Sequence, residues 1–216
     1  MKRIFTEEFK LLISRVFPFV LILVLIPLIS YLLWMVFPAK EIEIVVIDKT
    51  VPTDTYQEHQ TLFWAFEHMK IQNKEGQYYN KEKDYFGFFP NDSPSFGTPR
   101  DLRELSEIEI KETASGLDVL YFADTYGVFE DDFEVAEYDE ISKKIYGGLN
   151  RGDISLLREA AAQHKTIIAE FNTMASPTPV GIRTEFENIM GLKWTGWIAR
   201  YFDEMDTTIN TDIPKW

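Results

Sequence analysis

The chain has 216 residues, with 22 Lys and Arg against 35 Asp and Glu and no cysteine. Five of the basic and two of the acidic residues fall in the first 40, leaving 17 against 33 and a formal charge of −16 on the remainder, a surface that repels nucleic acid and anionic lipid. The lack of cysteine excludes disulfides, a thiol nucleophile, a Cys-based zinc site and an iron–sulfur cluster. About 176 residues are enough to bury a core without such staples.

Residues 16–37 (VFPFVLILVLIPLISYLLWMVF) contain no ionisable side chain, and 22 residues of helix reach roughly 33 Å against a hydrocarbon core of about 30 Å. Pro18 and Pro27 are tolerable in a membrane helix, and Tyr31 and Trp34 suit its outer interface. Lys2, Arg3, Lys10 and Arg15 precede the run, while only Lys40 and Lys49 follow closely. Positive flanks resist translocation, so residues 1–15 are expected in the cytoplasm and residues 41–216 outside it, as one extracytoplasmic domain. The apolar run is longer than a signal peptide's and ends in Phe37, Pro38, Ala39 and Lys40 rather than a small-x-small site, which predicts an uncleaved anchor.

Residues 42–47 (IEIVVI) read as a buried strand. After a turn at Pro52, Thr55-x-x-Glu58 has the form of a capping box, and Leu62, Phe63, Phe66 and Met69 repeat at helical spacing up to about Lys70. Residues 73–100 are polar, aromatic and rich in Gly and Pro, with a short strand expected at 85–89. A short edge strand is expected at 108–110, and 118–123 (DVLYFA) reads as a second buried strand. From Lys144, KIYGGLN leads into a helix over 153–163 and back into a strand at 166–171 (TIIAEF). A helix at 180–190 follows, then an aromatic stretch, GLKWTGWIARYF. Residues 212–216 (DIPKW) end the chain on a tryptophan, and a last strand is expected to be missing. Apolar strands alternating with helices predict a three-layer α/β domain on a mostly parallel sheet.

In such sheets ligands bind beyond the carboxyl ends of the strands. Asp48, Asp124 and Glu170 fall at or beside such ends, and His59 lies in the first turn of the helix after the first strand. Asp48 and Asp124 equally suit turn capping. Glu170 interrupts an apolar strand, so it is expected to be buried and to need a partner, such as Arg183 or Arg200, or a shifted pKa. Gly147 and Gly148 form a turn before a helix that could offer backbone N–H groups to an anion. The Rossmann, Walker and serine-hydrolase glycine motifs are absent. The acidic run Glu130, Asp131, Asp132, Glu134, Glu137, Asp139 and Glu140 lacks EF-hand spacing, and His59, His68 and His164 lack zinc-enzyme spacing, so no metal and no cofactor are expected.

The segments 118–127 (DVLYFADTYG), 144–172 (KIYGGLNRGDISLLREAAAQHKTIIAEFN) and 183–202 (RTEFENIMGLKWTGWIARYF) together resemble the class I glutamine amidotransferase-like superfamily. Its fold is flavodoxin-like, with a strand often ending in Asp-x-Tyr-Gly, as at Asp124 to Gly127, and a later Gly-Gly turn before a helix. Residues 48–52 (DKTVP) also resemble the opening of uncharacterised bacterial membrane-anchored proteins. The resemblance covers most of residues 42–202. Catalytic members use a Cys on a nucleophile elbow with a His and a Glu, and with no Cys that activity is excluded here.

The expectation is a membrane-anchored, non-catalytic domain binding a ligand or an envelope partner through Asp48, His59, Asp124, Gly147, Gly148 and Glu170. The alternatives are a hydrolase of envelope carbohydrate with Asp124 and Glu170 as acid and base, which needs them roughly 5–10 Å apart, and a structural envelope subunit.

Overall fold

The computed structural model describes residues 2–91, 96–133, 142–197, 205, 206, 208 and 209. Residues 134–141, which hold the rest of the acidic run, 198–204, which hold Arg200 and the end of the aromatic stretch, and the ending 210–216 lie outside them. The chain divides into two compact units, Met1–Ile42 with Leu62–Tyr79, and Glu43–Thr61 with Asn80–Trp216.

In the first unit the uncharged run forms most of one helix, α1 (Lys2–Val36), which passes through Pro18 and Pro27. Its segment Phe9–Val36 is long and apolar enough to cross a membrane. Lys40–Glu41 (β1) pairs in parallel with Ile71–Gln72 (β3), directly after the apolar helix. Phe63, Phe66 and Ile71 are buried, with the Phe66 ring 5.6 Å from Phe63 and 5.5 Å from Tyr79.

In the second unit, Ile44–Asp48 (β2) forms where the β-branched run predicts it, and helix α2 (Gln57–His68) begins here and ends in the first unit. This helix starts behind Tyr56, which has φ +54°, and Thr55 Oγ1 meets Thr53 Oγ1 at 2.7 Å. Thr55 is thus one residue too early for the capping box that the sequence suggested.

Phe86–Pro90 (β4) and Gly97–Arg100 (β5) form a hairpin, the first at the place expected. Residues 108–110, expected as a strand, lie in helix α3 (Glu107–Gly116). Ser106 and Glu109 close a reciprocal capping box there, and Ile110 and Ala114 face inward one turn apart. Val119–Asp124 (β6) follows, then Val128–Phe129 (β7). Lys144–Tyr146 (β8) pairs antiparallel with β7 in a separate ribbon, outside the main sheet. Arg151–Ala162 (α4) leads to Thr166–Ala169 (β9), and Val180–Met190 (α5) is the last helix described.

The main sheet has the order β5-β4-β2-β6-β9, parallel except for β5. Register explains its packing. Ile47 pairs with Phe86 and Phe122, and Leu120 pairs with Val45 and Ile167, so these six side chains share one face. They pack with Ile110 and Ala114 of α3, Ile154, Leu156, Leu157 and Ala160 of α4, and Phe186 of α5, whose ring meets Phe122 edge-on at 5.8 Å. Each fully buried Leu or Phe contributes about 1.5–3 kcal/mol. The molecule is therefore α/β, with a mostly parallel sheet and one N-terminal apolar helix.

Candidate functional site

From β2 the chain crosses to β4 on one side and later to β6 on the other, so strand order reverses between β2 and β6. At such a reversal the connections diverge and a crevice opens at the strand ends. Asp48 and Asp124 are register partners there, after a bulge beyond Ile47.

Asp48 Oδ2 lies 2.7 Å from His59 Nδ1, and His59 Nε2 lies 2.9 Å from the Lys81 carbonyl. A carbonyl only accepts, so Nε2 is the donor to Lys81 O, and the hydrogen bond between Nδ1 and Asp48 Oδ2 joins the two side chains. Asp48 Oδ1 accepts from Thr50 N–H at 3.0 Å, while Thr50 Oγ1 donates to Asp124 Oδ1 at 2.9 Å. Tyr126 N–H also donates to Asp124 Oδ1 (2.7 Å), and Asn172 Nδ2 donates to Oδ2 (2.8 Å). Asp48 and His59 are sealed from solvent, with the Tyr85 ring 4.7 Å from His59. Burial raises the Asp48 pKa above the usual carboxylate range, against the opposing effect of His59.

A second cluster adjoins this one. Lys49, 1 % exposed, turns its ammonium 2.5 Å from Asp153 Oδ2 and 3.8 Å from Asp101 Oδ2. Asp101 Oδ2 accepts from Tyr146 OH (2.7 Å), and Asn150 Nδ2 reaches both of its oxygens. Burial pushes Asp101 up, but the Lys49 charge, the Arg103 N–H and the Tyr146 hydroxyl outweigh it and hold the carboxyl down at about 2. Asp153, more deeply buried, is raised by desolvation despite Lys49. The Tyr146 hydroxyl is pushed up, first by burial and then by Asp101. These residues come from three stretches of the chain, at 49, 101–103 and 146–153, and their side chains were not among the site residues expected from the sequence. One signal was present: Asn150-x-x-Asp153 is a capping box, which the structure forms.

Gly147 and Gly148 border this cluster. Their positive φ values (+132° and +80°) and close backbone neighbours explain the glycines, since a Cβ on Gly147 would lie 2.3 Å from Gly127 Cα. Several of the turn's backbone donors are engaged within the protein. Gly148 N–H bonds Thr125 O, Leu149 N–H bonds Thr178 Oγ1, Asn150 N–H bonds Asp153 Oδ2, and those of Gly152 and Asp153 bond Asn150 Oδ1. A cavity of about 300 Å³ opens at this turn, bordered by Arg103, Lys144, Tyr146, Gly147, Asn150 and Pro179.

Glu170 departs from expectation. Edge strand β9 is largely exposed and Glu170 lies just past its end, exposed, accepting from Tyr121 OH at 2.6 Å. Arg183 instead faces Glu187 at 3.9 Å. Burial, with Glu170 second, pushes the Tyr121 hydroxyl up to about 12. Asp48, His59 and Asp124 are thus linked through Thr50, Gly148 joins them through Thr125 and Lys49, and Glu170 bonds apart from them. Among the described residues, no group of three or more His, Asp or Glu is placed to hold a metal ion. No protein-family model, no curated protein and no solved structure matches the chain.

Proposed function

We infer that this protein is a membrane-anchored, non-catalytic binding domain that takes a small ligand or an envelope partner at the strand-order reversal. The observation that carries this reading is the pairing of consumed carboxylates with an adjacent open cavity. Asp48, Asp101 and Asp124 each accept several hydrogen bonds from the protein, and Asp153 holds the buried Lys49. Groups so engaged fix loops and are poorly placed to move protons to a substrate. The cavity beside them has Lys144 and Arg103 at its border. Arg103 is paired with Asp101, which also lines it, at 3.1 Å, and the Lys144 ammonium donates to Gly147 O at 3.3 Å. This mixed border suits a polar ligand whose carboxylate or phosphate would meet Lys144.

The finer fold reading is a flavodoxin-like, three-layer arrangement related to the class I glutamine amidotransferase-like superfamily without its cysteine. The apolar helix α1 is read as an anchor with the N-terminus in the cytoplasm and the α/β unit outside, on the charge asymmetry around the span. The carbohydrate-hydrolase alternative is the less favoured reading, because Asp124 accepts three hydrogen bonds from the protein and Glu170 bonds Tyr121 apart from it.

The test is a ligand-observed NMR screen of envelope glycan fragments, muropeptides and small phosphorylated or carboxylated compounds against the full chain in nanodiscs. Hits are expected to weaken in Lys144→Glu and to survive Glu170→Gln. Hits indifferent to Lys144→Glu and lost in Glu170→Gln contradict this location.

A further inference from the structure

The last turn of α1 is bolted to the segment around residue 70. Trp34 Nε1 donates to the His68 carbonyl at 2.7 Å. The Lys70 ammonium sits 4.6 Å over the Trp34 ring and donates to the carbonyls of Met35 (3.0 Å) and Phe37 (2.7 Å). Those carbonyls lie at the end of the helix, where no following turn supplies N–H donors, and a lysine there also complements the helix dipole. The Lys40 N–H bonds Lys70 O, Ile42 N–H bonds Gln72 O, and β1 pairs with β3. Residues 68–72 are therefore held within a side chain's length of the end of the apolar span.

Next to this junction, the large apolar side chains of Trp64 and Met69 are left uncovered. Trp64 stacks on His68 at 5.1 Å, which in turn stacks on Trp34 at 6.4 Å, yet Trp64 is 61 % exposed. Met69 is 52 % exposed. Water is a poor solvent for such a pair. The headgroup layer, by contrast, favours an indole with an apolar body and a polar N–H, and lets a lysine lay its stem along apolar surface while its ammonium stays hydrated.

We propose that Trp64 and Met69, with Trp34 and Lys70, form a collar that inserts into the headgroup–acyl boundary of the bilayer beside the end of α1. The occupant of this surface is lipid, because the patch is continuous with the end of the one described helix able to span a membrane. The proposal rests on reading α1 as that span.

The test uses the full chain in phosphatidylcholine nanodiscs. Five tryptophans are present, Trp34, Trp64, Trp194, Trp197 and Trp216. Two variants each keep one of them, Trp34 or Trp64, with the other four replaced by Phe. Lipids carrying nitroxide quenchers near the headgroup are expected to quench Trp64 about as strongly as Trp34, with aqueous iodide reaching neither well. If Trp34 responds to lipid quenchers while Trp64 responds to iodide, the collar is wrong and the anchor stands. If lipid quenchers at no depth reach Trp34, the span reading falls and the collar with it. Trp64 shielded from both quenchers would mean that protein covers it, which also overturns the proposal. Should the multiple replacement disturb folding, Met69→Cys supplies a unique thiol in a cysteine-free chain. A nitroxide there is expected to be more accessible to oxygen than to a water-soluble nickel chelate, and the reverse order contradicts the collar.

Discussion

The Lys49 ammonium lies 2.5 Å from Asp153 Oδ2, and the two side chains are 2 % and 1 % exposed. Lys49 immediately follows the central strand and Asp153 sits in the first turn of α4, so one ion pair ties the sheet to the helix that crosses to β9. Removing one partner of a buried pair leaves an uncompensated charge, a loss of about 3–5 kcal/mol. Lys49→Met is expected to lose that much, and Asp153→Asn less, because Asp101 still stands 3.8 Å from the ammonium. Urea unfolding of the full chain, followed by near-UV circular dichroism, measures both. A Lys49→Met variant within 1 kcal/mol of the parent, on the scale of an ordinary surface substitution, contradicts the account.

Asp101 makes stability depend on acid in a defined direction. Its carboxyl falls from 3.8 to about 2 on folding, so the folded state favours the charged form. The contribution, about 2 kcal/mol, is present above pH 3.8 and lost as pH falls through about 2. Asp48 and Asp153 run the other way: their raised folded values add stability that is full below 3.8 and lost as pH rises through those values. The stability gap between the parent and Asp101→Asn is therefore expected to be constant above pH 4 and to shrink below it. A gap independent of pH from 2 to 6 counts against the electrostatic role of Asp101.

The crossing of Gly127 and Gly147 allows no side chain. Gly147→Ala combines a φ of +132° with a Cβ only 2.3 Å from Gly127 Cα, and is expected to cost about 2–4 kcal/mol. Gly76 has φ +75° but open space around its Cβ position, so Gly76→Ala is expected to cost only about 1–2 kcal/mol. Thermal melts of the two variants side by side check the order, and equal losses would mean that the close approach is unimportant.

Helix α3 owes its start to Ser106, whose Oγ accepts from Glu109 N–H at 3.3 Å while Glu109 Oε2 accepts from Ser106 N–H at 2.7 Å. Ser106→Ala is expected to lose about 1 kcal/mol. Denaturant midpoints read this directly, and an unchanged midpoint shows that the packing of Ile110 and Ala114 suffices.

The central strands were legible because Val46, Ile47, Leu120 and Phe122 belong to unbroken apolar runs that end in aspartate. The segment 108–110 misled because Ile108 and Ile110 alternate as in a strand, although Ser106-x-x-Glu109 already spelled a helix start. Glu170 was judged by its apolar neighbours, but Ile168 on the same edge strand is itself 42 % exposed, so apolar sequence there does not imply burial. Asp48 and Asp124 could be placed together because strand ends are local features that topology then aligns. The Lys49, Asp101, Tyr146 and Asp153 cluster could not, since each residue reads alone as an ordinary surface or capping group. Only the fold makes them neighbours.

The central claim is binding without chemistry at the reversal beside Gly147 and Gly148. Its most direct test is a single titration of the tightest screened ligand into the full chain in nanodiscs, followed by heteronuclear NMR, with the ligand recovered and analysed afterwards. Shifts are expected to concentrate at Arg103, Lys144, Tyr146, Gly147 and Asn150, to weaken in Lys144→Glu, and to leave the recovered ligand unaltered. Shifts centred on Glu170 and Tyr121, or a ligand returned hydrolysed, would contradict it.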